Sequence, residues 1–200
     1  MRMTNTGKAF AALFAVMFLA ILASAGTTQA QPKPAGQSNV AAKRIERGKY
    51  LVTIMYCNDC HTPFKMGPNG PEPDMSRMLS GHPENMKLPP PPKTSGPWVM
   101  VGSGTNTAWA GPWGISYTAN LTPDQNTGMG IWTEDMFIKA IRQGKHMGTS
   151  RPILPPMPWP AFRNLKDEDL KAIFAYLKSI PPIANHVPDP ATPDDVAKMK

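Results

Sequence analysis

The 200-residue sequence is poor in charge: Asp, Glu, Lys and Arg make up 18% of it, where an ordinary globular chain has about a quarter. No block of like charges occurs, and no Lys/Arg-rich run is interleaved with aromatics. The first absence argues against a disordered chain and the second against a nucleic-acid-binding one. No Gly-rich phosphate loop opens a helix; Gly67-Pro68-Asn69-Gly70 and Gly102-Ser103-Gly104 read as turns. Neither an acid/base dyad nor a Ser/His/Asp set stands in a context that would support hydrolysis. Internal repeats are absent, and beyond the N-terminal region no apolar run approaches the roughly 20 residues of a spanning helix. Cysteine is scarcest of all, with two residues, too few for a disulfide framework.

Proline (24) and glycine (16) are abundant and form a fifth of the chain. That excludes a bundle with short loops and predicts helices separated by long irregular segments. Hydrophobic residues, at 41%, suffice for a core, and the length fits one domain with extensions. The net charge of +7 suits acidic partners or an anionic surface. Arg2 and Lys8 precede an apolar run, Ala9 to Ala25, and small-residue sites follow at Ala23-Ser24-Ala25 and Thr28-Gln29-Ala30. This order reads as a secretory signal peptide over 1–30, cleaved after Ala25 or Ala30, so that the mature chain is exported and carries no membrane span.

The two cysteines are Cys57 and Cys60, and His61 follows them directly. From composition alone that arrangement arises about twice in ten thousand chains. A structural zinc site wants four ligands, whereas His82, His146 and His186 are scattered. A thioredoxin-like redox pair wants an alternating strand–helix pattern, which is absent. A disulfide would close a very small loop and leave His61 unexplained. Covalent haem attachment uses all three residues. Two thiols on one turn add to the vinyl groups, and the next side chain supplies an imidazole to the iron.

The chain here resembles the class I c-type cytochromes carrying one haem, and within them the haem modules of periplasmic dehydrogenases. The resemblance covers roughly 40–64 and 115–183. It rests on Arg47-Gly48-Lys49-Tyr50-Leu51-Val52 before the Cys57–His61 motif, on Ser116 to Asp124, on Gly128 to Phe137, and on Leu154-Pro155-Pro156-Met157-Pro158-Trp159. It implies an all-α cytochrome c fold of about three to four helices around one covalent haem c. The implied role is periplasmic electron transfer without catalysis, with a dehydrogenase, another cytochrome or an oxidase as redox partner. Alternatives are a cytochrome subunit of a dehydrogenase complex and an open-site haem enzyme or gas sensor.

Residues 31–39 read as a flexible lead-in and 40–183 as the domain. Helices are predicted from Val40 to about Tyr56, from Thr133 to Gly144, and from Lys166 or Asp167 to Ser179, each with an apolar stripe. Gly48 inside the first helix suggests close approach by another backbone, and the resembling fold crosses its last helix there. Residues 65–114 form a Pro/Gly/Trp-rich insertion. Its run Pro89 to Pro92 should be extended, with Trp98, Trp109 and Trp113 either covering the haem or docking a partner. Residues 184–200 read as a polar, loosely held tail.

Met157, caged by prolines at 155, 156, 158 and 160, is the candidate distal ligand opposite His61. Met147, His146, Met100 and His82 are the alternatives. Trp132, Asn120 and Arg142 are candidate propionate donors, by position in the resembling segments. The carbonyl of Pro68 or Pro71 is the candidate partner for the imidazole of His61.

Overall fold

The computed structural model describes residues 35–200. The signal peptide and residues 31–34 of the lead-in lie outside the described residues, whereas 35–39, expected to be flexible, form the start of a helix.

Helix α1 (Ala35–Ile54) leads into the five-residue turn α2 (Cys57–His61). Helix α3 (Glu134–Gln143) has the ends that its sequence dictates. Thr133 Oγ1 accepts from the Met136 N–H, Glu134 and Asp135 occupy the first turn, and Gly144 closes the helix in the left-handed region at φ 66°. A short turn, α4 (Trp159–Phe162), precedes α5 (Asp167–Leu177), and α6 (Pro193–Lys198) ends the chain behind a reciprocal cap between Thr192 and Asp195.

The core lies where α1, α3 and α5 meet. Leu51 and Val52 come from the first, Phe137 and Ile141 from the second, and Leu170, Ile173, Phe174 and Leu177 from the third, with Leu79, Met129 and Ile180 filling in. The Phe137 and Phe174 rings pack 5.6 Å apart. The expectation for Gly48 holds. A Cβ placed there would stand 1.9 Å from the Ala172 carbonyl oxygen, so α1 and α5 touch backbone to backbone. Ion pairs flank this contact: Arg47 reaches Asp169 on α5 at 2.9 Å, and Arg44 pairs with Glu134 on α3.

The fold is not all-α. Strands β1 (Phe64–Gly67) and β2 (Gly70–Pro73) form a hairpin, and β3 (Val101–Gly102), β4 (Ala108–Gly111) and β5 (Gly114–Tyr117) form a second antiparallel sheet in that order. Both turns use the glycines that close them, Gly67 opposite Gly70 and Gly111 opposite Gly114. Pro71 and Pro73 fit β2 because it is an edge strand, where alternate N–H groups have no ladder partner to lose. Between the sheets, residues 83–100 run without regular structure, as the proline run predicts.

The tail is docked rather than loose. Ala191 pairs with Ile115 through two backbone bonds of 2.9 and 3.0 Å, covering the outer edge of β5. Asn185 is fully buried. Its Nδ2 donates to the Ser80 and His82 carbonyls at 2.7 and 2.8 Å, and its Oδ1 accepts from Arg77 and from the Glu84 N–H.

Candidate functional site

After α1, Tyr56 adopts a left-handed backbone (φ 57°, ψ 31°) that turns the chain sharply into α2. On that turn Cys57 and Cys60, three residues apart, share one face. Several bonds hold the turn. The Asn106 side chain donates to the Asp59 carbonyl at 2.5 Å, the Thr62 hydroxyl donates to Asn58, and the same hydroxyl oxygen accepts from the Leu79 N–H.

His61 is buried, and its Nδ1 lies 2.8 Å from the Ala119 carbonyl oxygen. A carbonyl can only accept, so the proton sits on Nδ1 and Nε2 carries a lone pair. Burial holds this imidazole below its ordinary pKa, with the Ala119 bond opposing. His61 is therefore a neutral, oriented ring with the nitrogen a metal ligand needs. The partner is Ala119, not Pro68 or Pro71. Pro68 lies in the turn between β1 and β2, and Pro71 lies on β2 opposite Met66.

The Ala119 carbonyl is itself held on both sides. The Thr118 carbonyl accepts from the His82 N–H at 2.9 Å, and the Leu121 N–H donates to the Leu79 carbonyl at 2.8 Å. The segment from Ser116 to Asp124 thus underpins His61.

Burial pushes the Cys57 thiol up to about 11 and also raises Cys60, helped there by the Asp59 charge. Neither is the low-pKa thiolate of a redox-active pair. No group of three or more His, Cys, Asp or Glu among the described residues is arranged to hold a metal ion, so nothing here supports a zinc cluster.

Met157 is half-buried and packs on the same core as Cys57 and Trp132. Its loop is tied at several points. The His146 N–H donates to the Arg151 carbonyl, the Ile153 N–H donates to the Gly144 carbonyl, and the Ser116 hydroxyl donates to the Pro155 carbonyl at 2.5 Å. The Trp159 ring covers Gly144, where a Cβ would meet it at 2.3 Å.

The alternative ligands fare differently. His82 is fully enclosed, with Nδ1 2.9 Å from the Thr107 hydroxyl and its ring 4.8 Å from that of Tyr117, so it is spent inside the insertion. The His146 ring is half-buried, edge-on to Trp132 at 5.1 Å. Met147 is half-buried with a left-handed backbone, and Met100 is exposed.

Of the three candidate donors, one remains available. Trp132 is half-buried on the core, and its indole N–H has no bond among the described residues. Asn120 is committed elsewhere. Its Nδ2 donates to the Ile183 carbonyl at 2.8 Å, and its Oδ1 accepts from Thr122, so it ties the tail to this segment. Arg142 is also committed, to the Arg163 carbonyl and to Asp167, bridging α3 to the start of α5. Sequence reasoning misses the indole N–H groups of Trp109 and Trp113 and the Thr118 hydroxyl, which are buried without a partner among the described residues. Trp98, by contrast, is 73% exposed beside exposed Val99 and Met100. The three tryptophans of the insertion therefore do not form one cluster.

No family model matches the chain. Three of its relatives are nonetheless of one kind, cytochrome subunits of dehydrogenases by name. It is 29% identical over 169 residues to the fructose dehydrogenase cytochrome subunit of Gluconobacter japonicus, covering 84% of this chain and 28% of that one. It is 40% identical over 76 residues to the gluconate 2-dehydrogenase cytochrome c subunit of Pantoea cypripedii, covering 38% and 17%. It is 36% identical over 85 residues to the cytochrome c subunit of the quinone alcohol dehydrogenase of Gluconobacter oxydans, covering 41% and 18%. The matched region spans under a third of the length of each of these relatives. What the chain shares with them is a cytochrome c module.

Proposed function

We propose that the chain is an electron carrier holding one covalently attached haem c, exported to the periplasm, and serving a dehydrogenase as its redox partner. The observation that carries the reading is the His61–Ala119 bond. It leaves Nε2 of a buried imidazole unprotonated, immediately after two cysteines on one helical turn.

The residues fit the group. Cys57 and Cys60 would hold it through thioether bonds, and the His61 Nε2 and the Met157 thioether would bind its iron. Among the described residues, Arg77 Nε, Ser80 Oγ, Trp109 Nε1, Trp113 Nε1 and Thr118 Oγ1 are buried without a partner, and a cofactor that carries carboxylates would give such donors an acceptor; the half-buried indole of Trp132 is a separate candidate. When bound, haem supplies an iron that accepts and releases single electrons. The chain's residues contribute orientation and exclusion. The Ala119 carbonyl keeps the proton on Nδ1 and raises the basicity of the ligating nitrogen. The proline-rich loop restricts Met157, and the apolar core keeps water away, which lowers the reorganisation accompanying electron transfer.

The relatives' names favour membership of a dehydrogenase complex over free diffusion as a carrier. No helix among the described residues is long and apolar enough to cross a membrane.

The test is an optical titration of the exported protein, with and without carbon monoxide, beside Met157→Ala. A weak far-red methionine–iron band in the ferric wild type, lost in the variant, together with no gas binding by ferrous wild type, supports a closed electron-transfer site. Gas binding by a wild type that lacks the band overturns the Met157 assignment and moves the function to an open haem.

A further inference from the structure

We infer that β5 and the two residues after it form a bracket that holds both His61 and the Met157 loop, and that Ser116 is the positioning residue at the Met157 end. The inference rests on the reading of His61 and Met157 as ligands. At one end, the Ala119 carbonyl accepts from His61 Nδ1 at 2.8 Å. At the other, three residues earlier, the buried Ser116 hydroxyl donates to the Pro155 carbonyl at 2.5 Å, two residues before Met157. The Trp109 carbonyl lies 3.3 Å from the same hydroxyl. A hydroxyl has one proton, and the shorter contact takes it.

Three residues reach at most about 10 Å when extended, so the two anchor points cannot drift apart. The strand between them is stiff for a stated reason. One edge of β5 pairs with β4, and the other is covered by Ala191. Beyond β5, the Thr118 N–H donates to the Thr107 carbonyl, while the Thr118 carbonyl takes the His82 N–H. Gly114, at φ 96°, lets the tail come this close, since a Cβ there would stand 2.0 Å from the Ala191 carbonyl oxygen. The insertion and the tail thus act together. They carry a rigid strand past the site and fasten to it a proximal imidazole and a distal loop that are 96 residues apart in sequence.

The structure assigns the Ser116 bond the task of keeping Met157 on the iron against competing ligands. The experiment uses the haem-loaded protein and two variants of matched shape, Ser116→Thr and Ser116→Val, which differ in the hydroxyl alone and both suit a strand. Exogenous imidazole is titrated into the ferric form while the far-red band is followed, with Met157→Ala alongside. The Thr variant is expected to match wild type. The Val variant is expected to bind imidazole roughly three- to tenfold more tightly, the scale of one lost hydrogen bond. Equal imidazole affinity in Thr and Val, with the band lost in Met157→Ala, overturns the bracket and leaves the ligand assignment standing. A band that survives in Met157→Ala overturns the ligand assignment and the bracket's distal half with it.

Discussion

Gly48→Ala sets two physical rules against each other. Helix propensity favours Ala over Gly in a helix interior by about 1 kcal/mol, and Gly48 sits well inside the 20-residue α1. Packing opposes. The new Cβ would lie 1.9 Å from the Ala172 carbonyl oxygen, 2.6 Å from its carbon and 2.8 Å from Tyr176 Cβ. Ordinary contact begins near 3.4 Å, so the two helices would have to part by about 1.5 Å. None of the three obstructing atoms can swing aside, because two are helical backbone and the third is fixed to it. Separation would also loosen Leu51 and Val52 against Ile173 and Leu177, all nearly inaccessible to water. Overpacking of a fitted contact costs about 1–3 kcal/mol, and here it must also overcome the propensity gain. With three obstructing atoms that cannot yield, the cost falls at the upper end of that range, and after the propensity gain the expected net effect is a loss of about 1–2 kcal/mol, a fall of several degrees in melting temperature for a domain of this size. Chemical denaturation of the haem-loaded protein, followed by far-ultraviolet circular dichroism, measures it. Lys49→Ala, at an exposed neighbour, serves as the propensity control and should fall within about 0.5 kcal/mol of wild type. A Gly48→Ala protein as stable as wild type, or more so, would refute the close helix crossing.

Three further outcomes follow from the same contacts. Asn185→Ala should cost about 2–4 kcal/mol in the same denaturation experiment, since it strands the buried Ser80 and His82 carbonyls and removes the acceptor of Arg77 and the Glu84 N–H; a loss below about 0.5 kcal/mol would mean that the tail is not docked. Arg142→Ala should cost no more than about 1 kcal/mol, as its pair with Asp167 is largely solvated, and should leave the reduction potential unchanged; a shifted potential would restore Arg142 as a propionate donor. Burial holds His82 below its ordinary pKa, with the Met86 carbonyl opposing and the Arg77 charge adding. The unfolded chain therefore takes up this proton first, and stability should decline as pH falls from about 6.5 towards the folded value. His82→Asn should flatten that decline, and an unchanged slope between pH 7 and 5 would show that His82 is solvated in the native state.

Features written in neighbouring residues were legible before the structure. The Cys57–His61 motif needs one helical turn. Thr133 and Gly144 mark the ends of α3 by the chemistry of unpaired backbone groups, and Gly48 suggests a close approach because a glycine inside a helix is costly. The strands were not legible, because two- to four-residue runs punctuated by Gly and Pro are too short to show an alternating pattern. Asn120 and Arg142 had suitable donors, but a donor's residue type does not say which of several acceptors it will meet. The fold gave Asn120 to Ile183 and Arg142 to Asp167.

The least legible group is the one that orients His61. Every residue except proline offers the same backbone N–H and carbonyl, so no side chain could have marked Ala119 as the acceptor for His61. What selects it is the pairing of 118–121 with 79–82, and that pairing depends on an insertion and a tail that look dispensable in sequence. Pro-rich segments of this kind are easily treated as spacers. Here their carbonyls and N–H groups tie down the strand on which the imidazole rests. Shortening 83–100, which leaves the core residue Leu79 in place, should therefore disturb the setting of His61 before it disturbs the helical core.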